Sequence, residues 1–379
     1  MATQITVTIY DDTGAAVGIA TPLTWAVVHK VNMPSIASVL LAPATVITAG
    51  IEYGYDVQIT RGDPSVDMPV YTEFSGQIRR VVREYGANPT LTITAVDGKR
   101  ILQDRIVAWY PGMLSTSLFT TAAHPTSSAI LTELWNRNIG SQAVGNPPFF
   151  GPDKSRRYGV GLQRWADGRV TGAVDATDTG IGAAVNLTCS GENLLLTMQK
   201  VADIGSIDFD VRWPIGGVPS LYYADILGSN RTAVVKMSQA NNTIGTLVRT
   251  TERLNAPSLY VAIGRGRDKN KLKALYPTTA PTGTDLREAM ATGGDAETVN
   301  SLRSAAWRNY VRQQRKTNAY DIEVLQSAMW RYGRDYWLGD LVTIAVTATT
   351  TLTRKIYAVS LSMDADGREE VRIDLAATV

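Results

Sequence analysis

The sequence predicts a mainly β protein carrying a few helices, and three observations carry that prediction. Apolar and polar residues alternate with period 2 near the start, in the middle and near the end of the chain. Turn sequences of the Asp-Gly type separate several of these runs. Only three segments show the spacing of an amphipathic helix. Alternation lays apolar side chains on one strand face and polar ones on the other, whereas a helical stripe needs spacings of three and four.

In chain order, Ile5, Val7 and Ile9 alternate with Thr6, Thr8 and Tyr10, and Leu91, Ile93 and Ala95 alternate with Thr92, Thr94 and Val96. Asp97-Gly98 marks a turn. Pro125 to Gly140 reads as a helix with Ile130, Leu131, Leu134, Trp135 and Ile139 on one stripe, bounded by the expected proline and glycine. A second helix, capped by Ser190 with Glu192 in its first turn, buries Leu195, Met198, Val201 and Ala202 and ends at Gly205. Ile207, Phe209, Val211 and Trp213 then alternate with Asp208, Asp210 and Arg212. A third helix runs from about Glu297 to Arg315, with cations in its last turn to complement the helix dipole. Val342, Ile344 and Val346 resume the strand pattern. Ile356 to Met363 pairs with Val371 to Leu375 through Asp364-Ala-Asp-Gly367, where the glycine is free to take positive φ. The proline-rich stretches 145–152 and 277–284 read as irregular loops, because proline removes ladder donors. The layout is therefore β-rich over 1–117, helix and loop over 118–190, a helix and a second β-rich region over 191–319, and strands again over 320–379.

With 379 residues, 44% hydrophobic and 19% charged, the chain is long enough to bury a sizeable core. Lys+Arg at 37 nearly cancels Asp+Glu at 35, so no net field draws the whole molecule to nucleic acid or membrane. A single cysteine, Cys189, excludes an internal disulfide and a thiolate zinc site. His29 and His124 are too far apart in sequence to suggest a histidine metal site. The N-terminus has no signal-peptide pattern, and the most apolar stretch, Ile36 to Ile51, is too short and broken to span a bilayer. Synthesis in a cytoplasm, without a membrane anchor, is expected.

The search for catalytic or cofactor-binding residues returns none. Asp208 and Asp210 share a strand face and read as its solvated side, with nothing nearby to separate their acidities. Arg61-Gly-Asp63, followed by Pro64, reads as a turn. Nucleotide-loop and serine-nucleophile motifs do not occur. The densest charge run is Gly264 to Lys273, which follows the strand-like Leu259 to Ile263. Its Arg265, Arg267, Lys269, Lys271 and Lys273 are the candidate partner-contact residues.

A resemblance appears in the ordered set of Trp25-Ala-Val-Val-His-Lys-Val-Asn32, Ile51 to Arg61, Phe74-Ser-Gly-Gln-Ile-Arg79 and Leu91 to Gly98. Much further along come Asn193 to Ala202 with Ile207 to Val211, and then Tyr332-Gly-Arg-Asp-Tyr-Trp-Leu-Gly-Asp-Leu-Val342. This set resembles the tail hub proteins of siphovirus-type bacteriophages. The resemblance implies two tail-tube-like β-barrels, discontinuous in sequence, with helical and loop insertions. Three chains with two barrels each would give a pseudo-sixfold ring that docks on a sixfold tube. It further implies a structural protein of the virion tail tip, assembled in the host cytoplasm and working without a cofactor. Its partners would be two further copies, the distal ring proteins of the tube, the tape-measure protein, tip or fibre proteins, and DNA in transit. The chain stops at Val379 without an appended hydrolase or receptor-binding domain, so a minimal hub is expected. Two rivals stand beside this reading. One is a tail enzyme cleaving cell wall or polysaccharide with Asp208 or Asp210 as acids; the other is a receptor-binding tail protein.

Overall fold

The computed structural model describes residues 4–42, 50–86, 89–105, 107, 119–120, 125–140, 173–185, 187–189, 192–251, 257–264, 271–279, 286–292, 299, 302–303, 306–307, 309–310, 318–327 and 329–377. The chain divides into two compact units. Unit 1 is Met1–Thr243 with Val324–Val379, and unit 2 is the inserted Ile244–Glu323.

Unit 1 begins with seven strands: β1 (Gln4–Tyr10), β2 (Ala16–Ala20), β3 (Thr24–Lys30), β4 (Met33–Leu41), β5 (Asp56–Asp63), β6 (Met68–Glu84) and β7 (Thr90–Val96). After them come the short helix α1 (Arg100–Gln103), β8 (Phe119–Thr120), α2 (Ser127–Asn138), β9 (Thr188–Cys189), α3 (Leu194–Gly205), β10 (Asp208–Arg212), β11 (Ser220–Ala224) and β12 (Lys236–Ser238). Unit 2 holds β13 (Ile244–Thr251), β14 (Leu259–Ile263), β15 (Lys273–Tyr276), β16 (Glu288–Thr292) and β17 (Asn318–Val324), whose last residue is the junction. Unit 1 closes with β18 (Leu341–Ala345), β19 (Thr351–Met363) and β20 (Glu369–Ala377). The expectation of a mainly β fold with a few helices is met.

An 11-stranded sheet organises unit 1, in the order β12-β18-β19-β3-β4-β7-β6-β5-β1-β2, with β20 also on β19. The alternation read from the sequence decides its faces. Ile5, Val7 and Ile9 are buried, as are Val27, Val39, Ile93, Val359 and Leu361, while the residues between them face outward or are half-buried. Antiparallel pairing of β3 with β19, from Lys30 opposite Ala358 to Trp25 opposite Met363, joins the first strands of the chain to its last. In Phe74-Ser-Gly76 the glycine is required by a close approach: a Cβ there would lie 2.3 Å from the Val96 carbonyl oxygen on β7. The β19–β20 hairpin forms as expected. Asp364 Oδ1 accepts from the backbone N–H of Asp366 and Arg368, and Gly367 takes φ +76°.

Helices α2 and α3 pack with β10 around a core of Ile130, Leu134, Trp135, Met198, Val201 and Phe209, confirming both predicted apolar stripes. Thr126 caps α2, accepting from the Ala129 N–H. The cap of α3 differs from expectation: it is Asn193, with Glu192 lying outside the helix, while Ser190 falls outside the described residues. The reason is local. Asn193 Oδ1 accepts from Leu196 N–H at 3.1 Å while its amide donates to the Gln103 carbonyl at 2.7 Å, and the Glu192 carbonyl accepts from Val107 N–H. The chain is thus held extended up to residue 193.

One further expectation is corrected, and two fall wholly or partly outside the described residues. Arg61-Gly-Asp63 is the buried end of β5, and the turn begins only at Pro64, where the Asp63 carboxylate caps a single 3-10 turn. Residues 145–152 lie outside the described residues, as do most of 277–284. Of the third predicted helix, residues 299, 302, 303, 306, 307, 309 and 310 are described and helical.

Unit 2 contains the β13–β17 pair and a three-stranded sheet, β15-β14-β16, in which β14 runs antiparallel to β15 and parallel to β16. Leu302 and Ala306 of the helical segment pack on Tyr260, Ala262, Ala274 and Ala291.

Candidate functional site

The longest motif of the sequence, Tyr332 to Val342, is a fastening loop. Gly333 takes φ +85°, and a Cβ there would sit 2.3 Å from the Tyr71 hydroxyl, so any side chain would displace the ring. Gly339, at φ +87°, and Gly228 meet backbone to backbone: a Cβ on Gly228 would lie 2.3 Å from the Asp340 nitrogen. This approach lets the buried Asp340 carboxylate accept from the Ser229 N–H at 2.6 Å, the Trp337 N–H at 2.8 Å and the Arg231 Nε at 3.1 Å. The Leu-Gly-Asp signature thus ties the start of β18 to the 228–231 loop.

A buried polar network lies under the same loop. Arg61 on β5 grips Glu369 of β20 through Nε and Nη2 at 2.6 and 2.7 Å, and its Nη1 donates to the Tyr71 hydroxyl at 2.8 Å. Tyr71 in turn donates to Glu73 at 2.6 Å, and the Tyr332 hydroxyl donates to the same carboxylate at 3.2 Å. His29 Nε2 stands 3.1 Å from Glu73. Burial alone would raise the pKa of Glu73, but its bonds to His29 and Tyr71 and the nearby Arg61 charge hold it below the usual carboxylate range. Burial also opposes the Arg61 charge; Glu369, Tyr71 and Glu73 overcome it and hold the guanidinium above its ordinary range. The Tyr71 phenol is pushed up by burial and by Glu73.

Asp208 and Asp210 do not line a solvated face, which corrects the sequence reading. Asp208 is buried; it pairs with Lys355 at 2.7 Å and accepts from the Leu227 N–H at 3.1 Å. Asp210 pairs with Lys99 at 2.6 Å, and Lys99 also meets Asp97 at 2.9 Å. Burial would lower the affinity of Lys99 for its proton, yet Asp97 and Asp210 hold it above the ordinary lysine range. Each carboxylate therefore has its own cation: Asp208 fastens β10 to β19, and Asp210 fastens it to the turn before α1. A cleft of about 360 Å³ opens here, lined by His29, Glu73, Asp97, Lys99, Asp210 and Tyr222 among others. Within it Lys99 pairs with Asp97 and Asp210, His29 with Glu73, and Arg212 lies over the Tyr222 ring.

Cys189 is buried, and its thiol is pushed up to about 12 by that burial and by Glu192, the reverse of an activated nucleophile. Among the described residues, no group of three or more His, Cys, Asp or Glu side chains is placed to hold a metal ion. Of the candidate partner-contact residues, Arg265, Arg267 and Lys269 lie outside the described residues; Lys271 and Lys273 are exposed at the start of β15. The sequence reading missed the Arg61–Glu73–Glu369 network and the Lys99 pairings.

Residues 230–375 match the family described as Siphovirus ReqiPepy6 Gp37-like protein, a span that includes the fastening loop and β18 to β20. No curated protein matches the chain. Among solved structures, the 43 kDa tail protein of prophage MuSo2 from Shewanella oneidensis aligns over 99% of both chains at 12% identity and TM-score 0.59. A tail protein from Neisseria meningitidis MC58 aligns over 98% of this chain and 96% of its own, at 10% identity and TM-score 0.55. The prophage tail protein gp18 from Listeria monocytogenes EGD-e aligns over 97% and 93%, at 12% identity and TM-score 0.54. The chain thus shares the fold of these tail proteins, and its residues 230–375 match the siphovirus family.

Proposed function

We propose that this chain is a structural hub of the tail tip: three copies form a pseudo-sixfold ring that joins the tail tube to the tip and guides the tape-measure protein and DNA. The observation that carries the reading is the fold shared with phage tail proteins over nearly the whole length of each. In this reading the strands from residues 1–117 form one tube-like half. The strands after residue 190 that return to unit 1 supply the other, and β3 against β19 is the seam between them. The adjoining partners are the distal tube rings on one side and tip or fibre proteins on the other, within the virion. Asp208 and Asp210, the acids of the rival enzyme reading, each pair with a lysine, which supports a structural role for them. Native mass spectrometry of the purified chain at high concentration, or of tails dissociated gently, should find a species about three times 41.0 kDa. A chain that stays monomeric in both preparations would contradict the proposal, and degradation of host cell wall by the purified chain would favour the rival.

A further inference from the structure

Among the described residues of unit 2, the helical segment covers one face of the three-stranded sheet, and on the other face Leu259 is buried at one end. Tyr260, Ala262, Ala274 and Ala291 point to the helical residues Leu302 and Ala306. Successive side chains of a strand alternate between faces, so the intervening positions present the opposite face. There the register places Val261 opposite both Leu275 and Met290, making one apolar row three strands wide, and sets Ile263 beside Lys273 in the next row. Leu275 is 42% and Met290 74% exposed. Lys271 and Lys273 are exposed at the same end of the sheet, where the Gly264 N–H donates to the Leu272 carbonyl at 2.9 Å. The carboxylate that β16 adds to this face, Glu288, sits at the far end, opposite Leu259.

We propose that this face docks another protein through a segment that pairs an apolar ridge with carboxylates. Apolar side chains left in water across a flat pleated sheet gain by being covered, and the two lysines beside them select the sign of what covers them. DNA would satisfy the lysines and leave the apolar row unmatched, since phosphate contacts are polar. A second copy docked face to face would bring the same cations, with Glu288 the carboxylate to meet them among the described strand residues; a copy docked by another surface is an outcome the test below separates. An anionic bilayer asks for a larger apolar face that can sink among the headgroups, and Glu288 would oppose it. The inference rests on the tail reading only in where the partner is sought.

The test places the photocrosslinker p-benzoylphenylalanine at Met290, and separately at Leu275, in chains assembled into tailed particles. Both should cross-link to another protein of the particle, within a segment that mass spectrometry shows to be rich in Asp and Glu. Lys271→Glu with Lys273→Glu should cut that yield at least ten-fold while the thermal melt of the isolated chain stays unchanged. Cross-links confined to copies of this chain or to lipid, a contacted segment without carboxylates, or an equal yield after charge reversal would overturn the inference. So would particles that contain the chain and give no cross-link. Absence of the chain from the particles would overturn the tail reading as well.

Discussion

Unit 1 and unit 2 are held together in different ways. Unit 1 buries large side chains such as Trp25, Trp135, Phe209 and Ile59 and fastens segments distant in sequence with buried ion pairs, Arg61 to Glu369 and Lys355 to Asp208 among them. Unit 2 packs tyrosine, alanine and one leucine on one face of a short sheet, and leaves Leu275 and Met290 of the other face in water. Among the described residues, the difference is between a body with a large buried interior and one with a small one.

The largest effect should come from unit 1. Arg61→Met leaves Glu73 and Glu369 without their cation and should cost about 3–5 kcal/mol in urea unfolding, as breaking a buried pair does; a loss under 1 kcal/mol would mean that the network is incidental. Leu134→Ala opens a cavity in the α2–α3 core and should cost about 2–5 kcal/mol. Acid should act next. The folded state holds the Glu73 carboxyl below its unfolded value, so its contribution is complete above the unfolded value of about 4.3 and is lost as pH falls through the lower folded one. Thermal melts from pH 6 to pH 3 should therefore show a drop in wild type that Glu73→Gln flattens. Met290→Ser, on the open face of unit 2, should stay within about 0.5 kcal/mol in the isolated chain. A larger loss would show that this face is covered within the chain and would erase the contrast between the units.

Much of this was legible in sequence, and the rest has identifiable reasons. Period-2 runs located β1, β7 and the β19–β20 hairpin because each has one buried and one outward face, and they located β10 although Asp208 on its polar side is buried. Arg61 was read as the start of a turn, although it continues the inward series Val57, Ile59, Arg61, where a charge calls for a buried partner. Glu369 likewise shares the inward parity of Val371 and Ile373, but nothing local says that a partner lies 308 residues away. The role of Asp208 was hidden for the same reason, since alternation assigns it outward and only Lys355 from β19 makes it interior. Lys99 sits in a turn, where no periodicity marks burial. The α3 cap went to Asn193 because residues 103–107 hold the preceding chain extended, a tertiary contact invisible to a local capping rule.

The central claim is that three copies of this chain form a ring between the tail tube and the tip. Cryo-electron microscopy of assembled tails, with the chain marked by a bound Fab, tests it most directly. The account predicts three Fabs around the axis at the distal end of the tube, on a ring whose inner sheets continue the tube wall. Fabs repeated along the tube, clustered on peripheral fibres, or attached singly would contradict it.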